Sequence, residues 1–295
     1  MTTVQAVDGK QYLVSARRLV DELLNRYMPS ENEEPCALHS AMRYSVMAGG
    51  KRLRPILALA AFEYCTGDTA RGRQAIEFAM CALEMVHTYS LIHDDLPCMD
   101  NDDLRRGIPT CHKKFGEAVA VLAGDALHDV AFGLMARTGC AAVVTELAEA
   151  LGTKGMLGGQ MADVEAEGRQ VTLEEVKGIH RRKTAALMRC AVRTGGILAD
   201  ADKATMEALS RYGEKLGLAF QIIDDILDIE GDQELLGKQP GSDCKNQKAT
   251  YPAVTGLKQA RCDAERLIDE ATDQLDKYDD NMLAFIAKYI GQRRN

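Results

Sequence analysis

A chain of 295 residues can bury a large core, and 46% hydrophobic with 27% charged residues is ordinary for a globular protein in water. A formal net charge of −8 argues against a nucleic-acid-binding surface, so any anionic ligand has to be held by local basic clusters. Nine scattered cysteines without a CxxC pair, no secretion signal and no apolar run of membrane-spanning length together predict reduced thiols in a cytoplasmic protein.

The first stretch with chemistry is "MAGGKRLRPILALAAF" (47–62), where Lys51, Arg52 and Arg54 stand between a Gly-Gly turn and a Pro-started apolar helix. A lone basic cluster is ordinarily a solvated surface, but Lys and Arg at the mouth of an apolar helix suit an anion. "RQAIEFAMCALEMVHTYSLIH" (73–93) is apolar almost all round and predicts a buried central helix. Its His87, taken alone, reads as a satisfied core histidine. The helix runs into "SLIHDDLPCMDNDDLRRGIPT" (90–110), where Asp94, Asp95, Asp100, Asp102 and Asp103 crowd together ahead of Arg105 and Arg106. Carboxylates stay ionised beside a core only if something compensates them, usually a cation. Asp94 and Asp100 would lie about 120° apart on an ideal helix, so an unbroken helix keeps them separate. Pro97 supplies a break, and the expected chain loosens after Asp95 and swings Asp100 back towards Asp94.

Helical spacing continues over 116–136, 172–199 and 205–229, and again in the amphipathic C-terminal segment, while alternating strand patterns are hard to find. With no repeat, low-complexity stretch or linker, the expectation is one all-α domain over residues 1–295. "HRRKTAAL" (180–187) sets Lys183 beside Thr184, and "AFQIIDDILDI" carries Asp224, Asp225 and Asp228 on an apolar helix. Asp224 and Asp228, four apart, share a face. The longest polar, breaker-rich stretch is 230–252, with Lys238, Lys245 and Lys248; loops of that length are usually functional, often lids.

Solvated acidic helix ends would explain one such cluster, because short acidic motifs recur by chance. Two clusters, each following an apolar run, are a stronger signal. Oxygen ligands without His or Cys at zinc spacing suit a hard cation, Mg²⁺ or Mn²⁺. Mg²⁺ takes few carboxylates and completes its shell with water and substrate phosphates, so the implied substrate is a diphosphate or similar anion.

The ordered set "GGKRLRP", "DDLPCMDNDDLRRG", "GGQMAD", "HRRKTAAL", "FQIIDDILD" and "GKQPGSDCKNQKATYP" resembles the trans-prenyltransferases, the short-chain isoprenyl diphosphate synthases, over almost the whole chain. The resemblance implies an all-α, isoprenoid-synthase-type bundle around a deep apolar cavity, normally a homodimer, with the two Asp-rich motifs facing each other across its mouth. On the matching positions, Asp94 and Asp100 correspond to ligands of two Mg²⁺ ions and Asp224 to a ligand of a third, with Asp95 and Asp228 in support. Arg105, Lys183, Thr184, Gln221 and Lys238, with Lys248 in addition, match the groups that hold the allylic diphosphate. Lys51, Arg54, His87 and Arg106 match the isopentenyl diphosphate pocket, which moves His87 from core to ligand. Tyr89, with Ser90 beside it, matches the chain-length floor. Ideal periodicity turns Tyr89 about 140° from Asp94, so geometry alone does not decide its role; the aromatic at this position and the longer Asp motif are the pattern of bacterial-type farnesyl diphosphate synthases. The implied reaction is a 1′-4 condensation of isopentenyl diphosphate with dimethylallyl and geranyl diphosphates, by ionisation, condensation and elimination.

The nearest rival is a geranylgeranyl diphosphate synthase. A terpene cyclase would carry a different second metal motif and has no need of "GGKRLRP". A non-catalytic partner subunit would have a degraded Asp motif, and a Mg²⁺-dependent phosphohydrolase would not need an aromatic floor.

Overall fold

Apolar residues spaced three and four apart can be buried together only if the chain coils into helices, and the computed structural model, which describes residues 8–66, 72–230, 248–275 and 281–292, is built from them. In order come α1 (Gly9–Tyr27), α2 (Cys36–Met47), α3 (Leu53–Thr66) and α4 (Arg73–Asp94). A short antiparallel hairpin follows, β1 (Leu104–Arg105) against β2 (Ile108–Pro109), with Leu104 opposite Pro109 and Arg105 opposite Ile108. Next are α5 (Cys111–Phe115), α6 (Glu117–Arg137), α7 (Ala141–Leu151) and α8 (Met156–Ala166). Helix α9 (Leu173–His180) passes through one π-helical turn, Arg181–Ala185, into α10 (Ala186–Leu198). The rest is α11 (Lys203–Glu230), α12 (Tyr251–Thr255), α13 (Leu257–Thr272) and α14 (Met282–Gly291).

The all-α expectation holds, apart from the hairpin. Two-residue strands are too short to show alternation; what makes the turn is Arg106 and Gly107, both at positive φ (54° and 78°), as the two central positions of a hairpin turn require. The long reading over 172–199 resolves into two helices with a π turn between them. A capping box opens the first: Thr172 Oγ1 accepts from the Glu175 amide (3.3 Å) and the Glu175 carboxylate accepts from the Thr172 amide (2.7 Å).

Helix α4 is the centre, as its all-round apolarity demands. It packs against α3 and α6, while α10 bridges α3 to α11 and α13 covers the far side of α11. Residues such as Met80, Leu83 and Met85 on α4 are fully buried in one continuous apolar core. One sequence expectation needs correcting: Arg73–Asp94 and Glu117–Arg137 are both long and apolar enough to cross a membrane by length and composition. Both carry few charged residues, and a core helix can share the length and composition of a membrane span. In α4 that apolar surface is turned inward, with 72% of its most apolar stretch buried, against 39% in α6. Most of the expected loop over 230–252 lies outside the described residues: α11 runs to Glu230 and the description resumes at Lys248.

Candidate active site

Helix α4 stops at Asp94, and the turn beyond it behaves as Pro97 leads one to expect. The Asp100 amide donates back to the Asp94 carbonyl (2.8 Å), and Asn101, at φ 53°, donates to the Leu96 carbonyl (3.1 Å). Asp94 thereby lines a cavity of about 630 Å³, within the range of small-molecule sites. Burial holds its carboxyl above the usual range and the Asp100 charge adds to this, against Lys183, Arg105 and Lys248. Asp100 itself pairs with Lys248 Nζ at 2.8 Å. Asp95, only 3% exposed, accepts from Arg105 Nε (2.6 Å). Burial, with Asp102 and Asp94, pushes its carboxyl up to about 6 in spite of Arg105. Asp102 shares the Arg105 guanidinium (3.4 Å) and Asp103 meets Lys113 (2.7 Å). Arg105 therefore lines the cavity while already held by two carboxylates.

Lys51, Arg54, His87 and Arg106 also line the cavity. Burial pulls the Arg54 guanidinium down to about 10, with Arg106 adding to the effect against Glu84 and Asp224, and Arg54 Nε is buried without a protein partner. Burial and then Arg54 and Arg106 hold the His87 imidazole well below its ordinary value, so it is neutral near pH 7. Cations crowded around one cavity wall favour an anion. The Gly-Gly turn makes this wall possible. Gly50 sits at φ 124°, and a Cβ there would lie 2.7 Å from Arg106 Cζ, while Arg106 donates to the Gly49 carbonyl. Arg52 departs from the reading of this cluster as one anion-facing group. It is 2% exposed and donates to Asp21 (2.8 Å), Glu84 (2.8 Å) and the Val46 carbonyl (2.7 Å), which makes it a structural clamp.

The third wall comes from α8, the π turn and α11. Lys183 Nζ meets Asp163 at 2.6 Å, Thr184 Oγ1 donates to Gln221 Oε1 (2.6 Å), and Gln221 Nε2 donates to Asp225 Oδ1 (3.0 Å). Helix α11 comes this close because residue 217 is glycine: a Cβ there would lie 2.4 Å from Ala185 Cα. Asp224 lines the cavity, whereas Asp225 and Asp228 are each 3% exposed. Lys238 lies outside the described residues. Deeper along α4, about one and a half turns from Asp94, Tyr89 and Ser90 line the cavity opposite Phe220. The Tyr89 ring stands edge-on to His93 (5.7 Å) and to His128 (5.3 Å), whose own ring leans on Phe132 (4.8 Å).

Among the described residues no three His, Cys, Asp or Glu side chains converge on one point. Asp94 and Asp224 line the same cavity, with Asp100 held next to Asp94 by its amide hydrogen bond, and carboxylate oxygens of this kind suit hard divalent cations shared with substrate phosphates rather than a closed protein cage. Sequence reasoning assigned no role to Asp163, which holds Lys183, or to Asp225. The "GGQMAD" motif was the available signal for the first; for the second the i, i+4 spacing to Gln221 was a local signal, while its contacts with Tyr251 and His180 are distant in the chain.

A cavity with an anion-binding mouth and an apolar, aromatic end defines a protein that handles molecules with a charged head and a hydrocarbon tail. The family model for polyprenyl synthetase matches residues 35–289, and the chain belongs to that family as a short-chain trans-prenyltransferase, joining prenyl diphosphates head to tail. It is 43% identical over 302 residues to "Farnesyl diphosphate synthase" of Escherichia coli (strain K12), covering 97% of this chain and 99% of the relative. It is also 45% identical over 304 residues to "Geranylgeranyl pyrophosphate synthase 12, chloroplastic" of Arabidopsis thaliana, covering 98% and 83%. The crystal structure of a geranyltransferase from Helicobacter pylori, complexed with magnesium and isoprenyl diphosphate, superposes with a TM-score of 0.83 at 33% identity, covering 98% of this chain and 97% of that one. Two relatives so equally similar and so differently named leave the product length to the cavity itself.

Proposed function

We propose that the chain condenses isopentenyl diphosphate with dimethylallyl and then geranyl diphosphate and releases farnesyl diphosphate. The observation that carries the C15 product is Tyr89: 6% exposed, lining the cavity and backed by His128 and Phe132, it closes the space a longer tail would need.

In this reading Arg105, Lys183, Thr184, Gln221, Lys248 and Lys238 hold the allylic diphosphate, and Lys51, Arg54, His87 and Arg106 hold isopentenyl diphosphate. Three Mg²⁺ ions held by Asp94, Asp100 and Asp224, with Asp95 and Asp228 behind them, would neutralise charge developing on the leaving diphosphate. The allylic C1–O bond breaks, and its electron pair leaves with diphosphate towards Lys183 and Lys248. Tyr89 and Phe220 help keep water from the allylic cation. The isopentenyl double bond attacks C1 through its C4, and the departed diphosphate takes a proton from C2 to restore an alkene. No protein nucleophile is needed. Neutral His87 donates one N–H to the homoallylic diphosphate beside the Arg54 and Arg106 charges.

The test is a product assay with isopentenyl diphosphate, Mg²⁺ and, separately, C5, C10 or C15 allylic diphosphate. Accumulation of C15 from C5 and C10, abolished by EDTA and restored by Mg²⁺, is expected; no metal dependence would sink the metal assignment. Tyr89→Ala should shift product towards C20 by opening the floor, and an unchanged chain length would remove Tyr89 from that role. The second reading, a geranylgeranyl synthase, draws on the Arabidopsis relative. Efficient use of C15 by the unaltered protein would select it, with the same chemistry and site.

A further inference from the structure

A buried hydrogen-bond chain links the segments to which the proposed function gives the allylic diphosphate. Asp225 follows Asp224 and so points about 100° away around α11. Its Oδ1 accepts from Gln221 Nε2 (3.0 Å), and its Oδ2 accepts from the Tyr251 amide (2.8 Å) with His180 Nε2 at 3.4 Å. Gln221 in turn accepts from Thr184 Oγ1 (2.6 Å). On the other branch, the Tyr251 ring stacks on the His180 imidazole (6.2 Å between centroids) and its hydroxyl meets Asp263 (3.1 Å). Three residues before Tyr251, Lys248 reaches Asp100 (2.8 Å). One carboxylate, 3% exposed, thus ties the π turn, α11 and the segment 248–251.

Resting on the proposed allylic diphosphate subsite, we infer that Asp225, although it lies inside the second Asp-rich motif, is a positioning residue for that diphosphate and not a metal ligand. Both of its oxygens are taken by protein donors from three directions, while Asp224 lines the cavity. Through Gln221 it fixes the position of Thr184 Oγ1, whose single proton turns from Gln221 Oε1 to the diphosphate when substrate binds; through the Tyr251 amide it fixes the backbone from which Lys248 extends. The charge matters because a carboxylate accepts on every side. An amide at this position would set an N–H against either the Gln221 or the Tyr251 donor. The bonds run through Gln221, Thr184 and the Tyr251 backbone just beyond Lys248, groups tied to the allylic diphosphate in the proposed function, so the effect is selective for one substrate.

The experiment compares Asp225→Asn with Asp224→Asn by calorimetric binding of a non-ionisable thiolodiphosphate analogue of geranyl diphosphate in Mg²⁺. KM for isopentenyl diphosphate, the half-saturating Mg²⁺ concentration and amide hydrogen exchange at Tyr251 are measured alongside. Asp225→Asn is expected to weaken the analogue about tenfold, the scale of one charge-assisted hydrogen bond, and to speed exchange at Tyr251. The isopentenyl KM and the Mg²⁺ requirement stay unchanged, whereas Asp224→Asn raises the Mg²⁺ requirement. His180→Phe, which keeps a ring on Tyr251 and removes a nitrogen buried without a partner, is a second variant expected to act in the same direction. An Asp225→Asn variant that needs more Mg²⁺, or that changes both substrates equally, overturns the inference. Lys248→Ala separates the remaining failures. If it weakens the analogue while Asp225→Asn does not, the subsite stands and the inference falls; if it leaves the analogue unaffected, the assigned subsite falls and the inference with it.

Discussion

His87 titrates opposite to its neighbours on the same helix. Burial, followed by Arg54 and Arg106, lowers its folded-state pKa, so the unfolded chain takes up a proton near pH 6.5 that the folded chain resists. Its contribution to stability is therefore complete above about pH 6.5 and lost as pH falls below that value. Asp95, pushed up to about 6 by burial, works the other way: the folded state holds its proton more tightly, and that contribution is lost as pH rises. His87→Gln removes only the first effect. Thermal melts of the ligand-free protein should fall less between pH 7 and pH 5 in this variant than in the unaltered chain. Parallel curves would mean that His87 is not held neutral by the site. The histidine's place on an apolar helix was legible from its neighbours, but its electrostatics were not, because the cations that depress it come from residues 52–54 and the hairpin.

The turn between α2 and α3 is held by one buried arginine. Arg52, at φ 50°, is locked between Asp21 on α1, Glu84 on α4 and the Val46 carbonyl on α2, and both Arg52 and Glu84 are essentially buried. Arg52→Met leaves the Glu84 carboxylate buried without this partner, and breaking a buried pair in this way costs about 3–5 kcal/mol. Adding Glu84→Leu should recover most of that loss, because removing both partners also removes the uncompensated charge. Chemical denaturation of the single and double variants checks this; a single variant within about 0.5 kcal/mol of the parent would show that the clamp contributes little. By charge and position alone Arg52 was indistinguishable from Lys51 and Arg54; only the family resemblance set it apart, by giving the anion pocket to the other two. All three sit in one basic run, and only the backbone turn decides which enters the core and which faces the cavity.

At the scale of the whole molecule, α6 is largely apolar yet only 39% buried over its most apolar stretch, and Val121 and Leu122 stand 40% and 57% exposed. It also supplies the partly exposed His128, edge-on to Tyr89, and Phe132 against His128. The homodimer implied by the family resemblance would cover such an exposed apolar face. Light scattering should give twice the 32.3 kDa monomer mass, and Leu122→Glu should lower it towards one copy while far-ultraviolet circular dichroism is retained. A monomeric unaltered chain would end that expectation.

The helices, their order, the break after Asp95 and the two acidic clusters follow from the sequence, because periodicity, proline and local charge act between residues a few positions apart. The ordered motifs were enough to identify the family. What only the tertiary structure decided is which way each member of a motif points. Asp224 lines the cavity while Asp225 binds Tyr251, 26 residues away; Lys183 is held by Asp163, 20 residues back; and Thr184 is oriented by Gln221, 37 residues on. These partners meet because α8, α11 and the π turn pack side by side, and no local pattern encodes a contact created by packing.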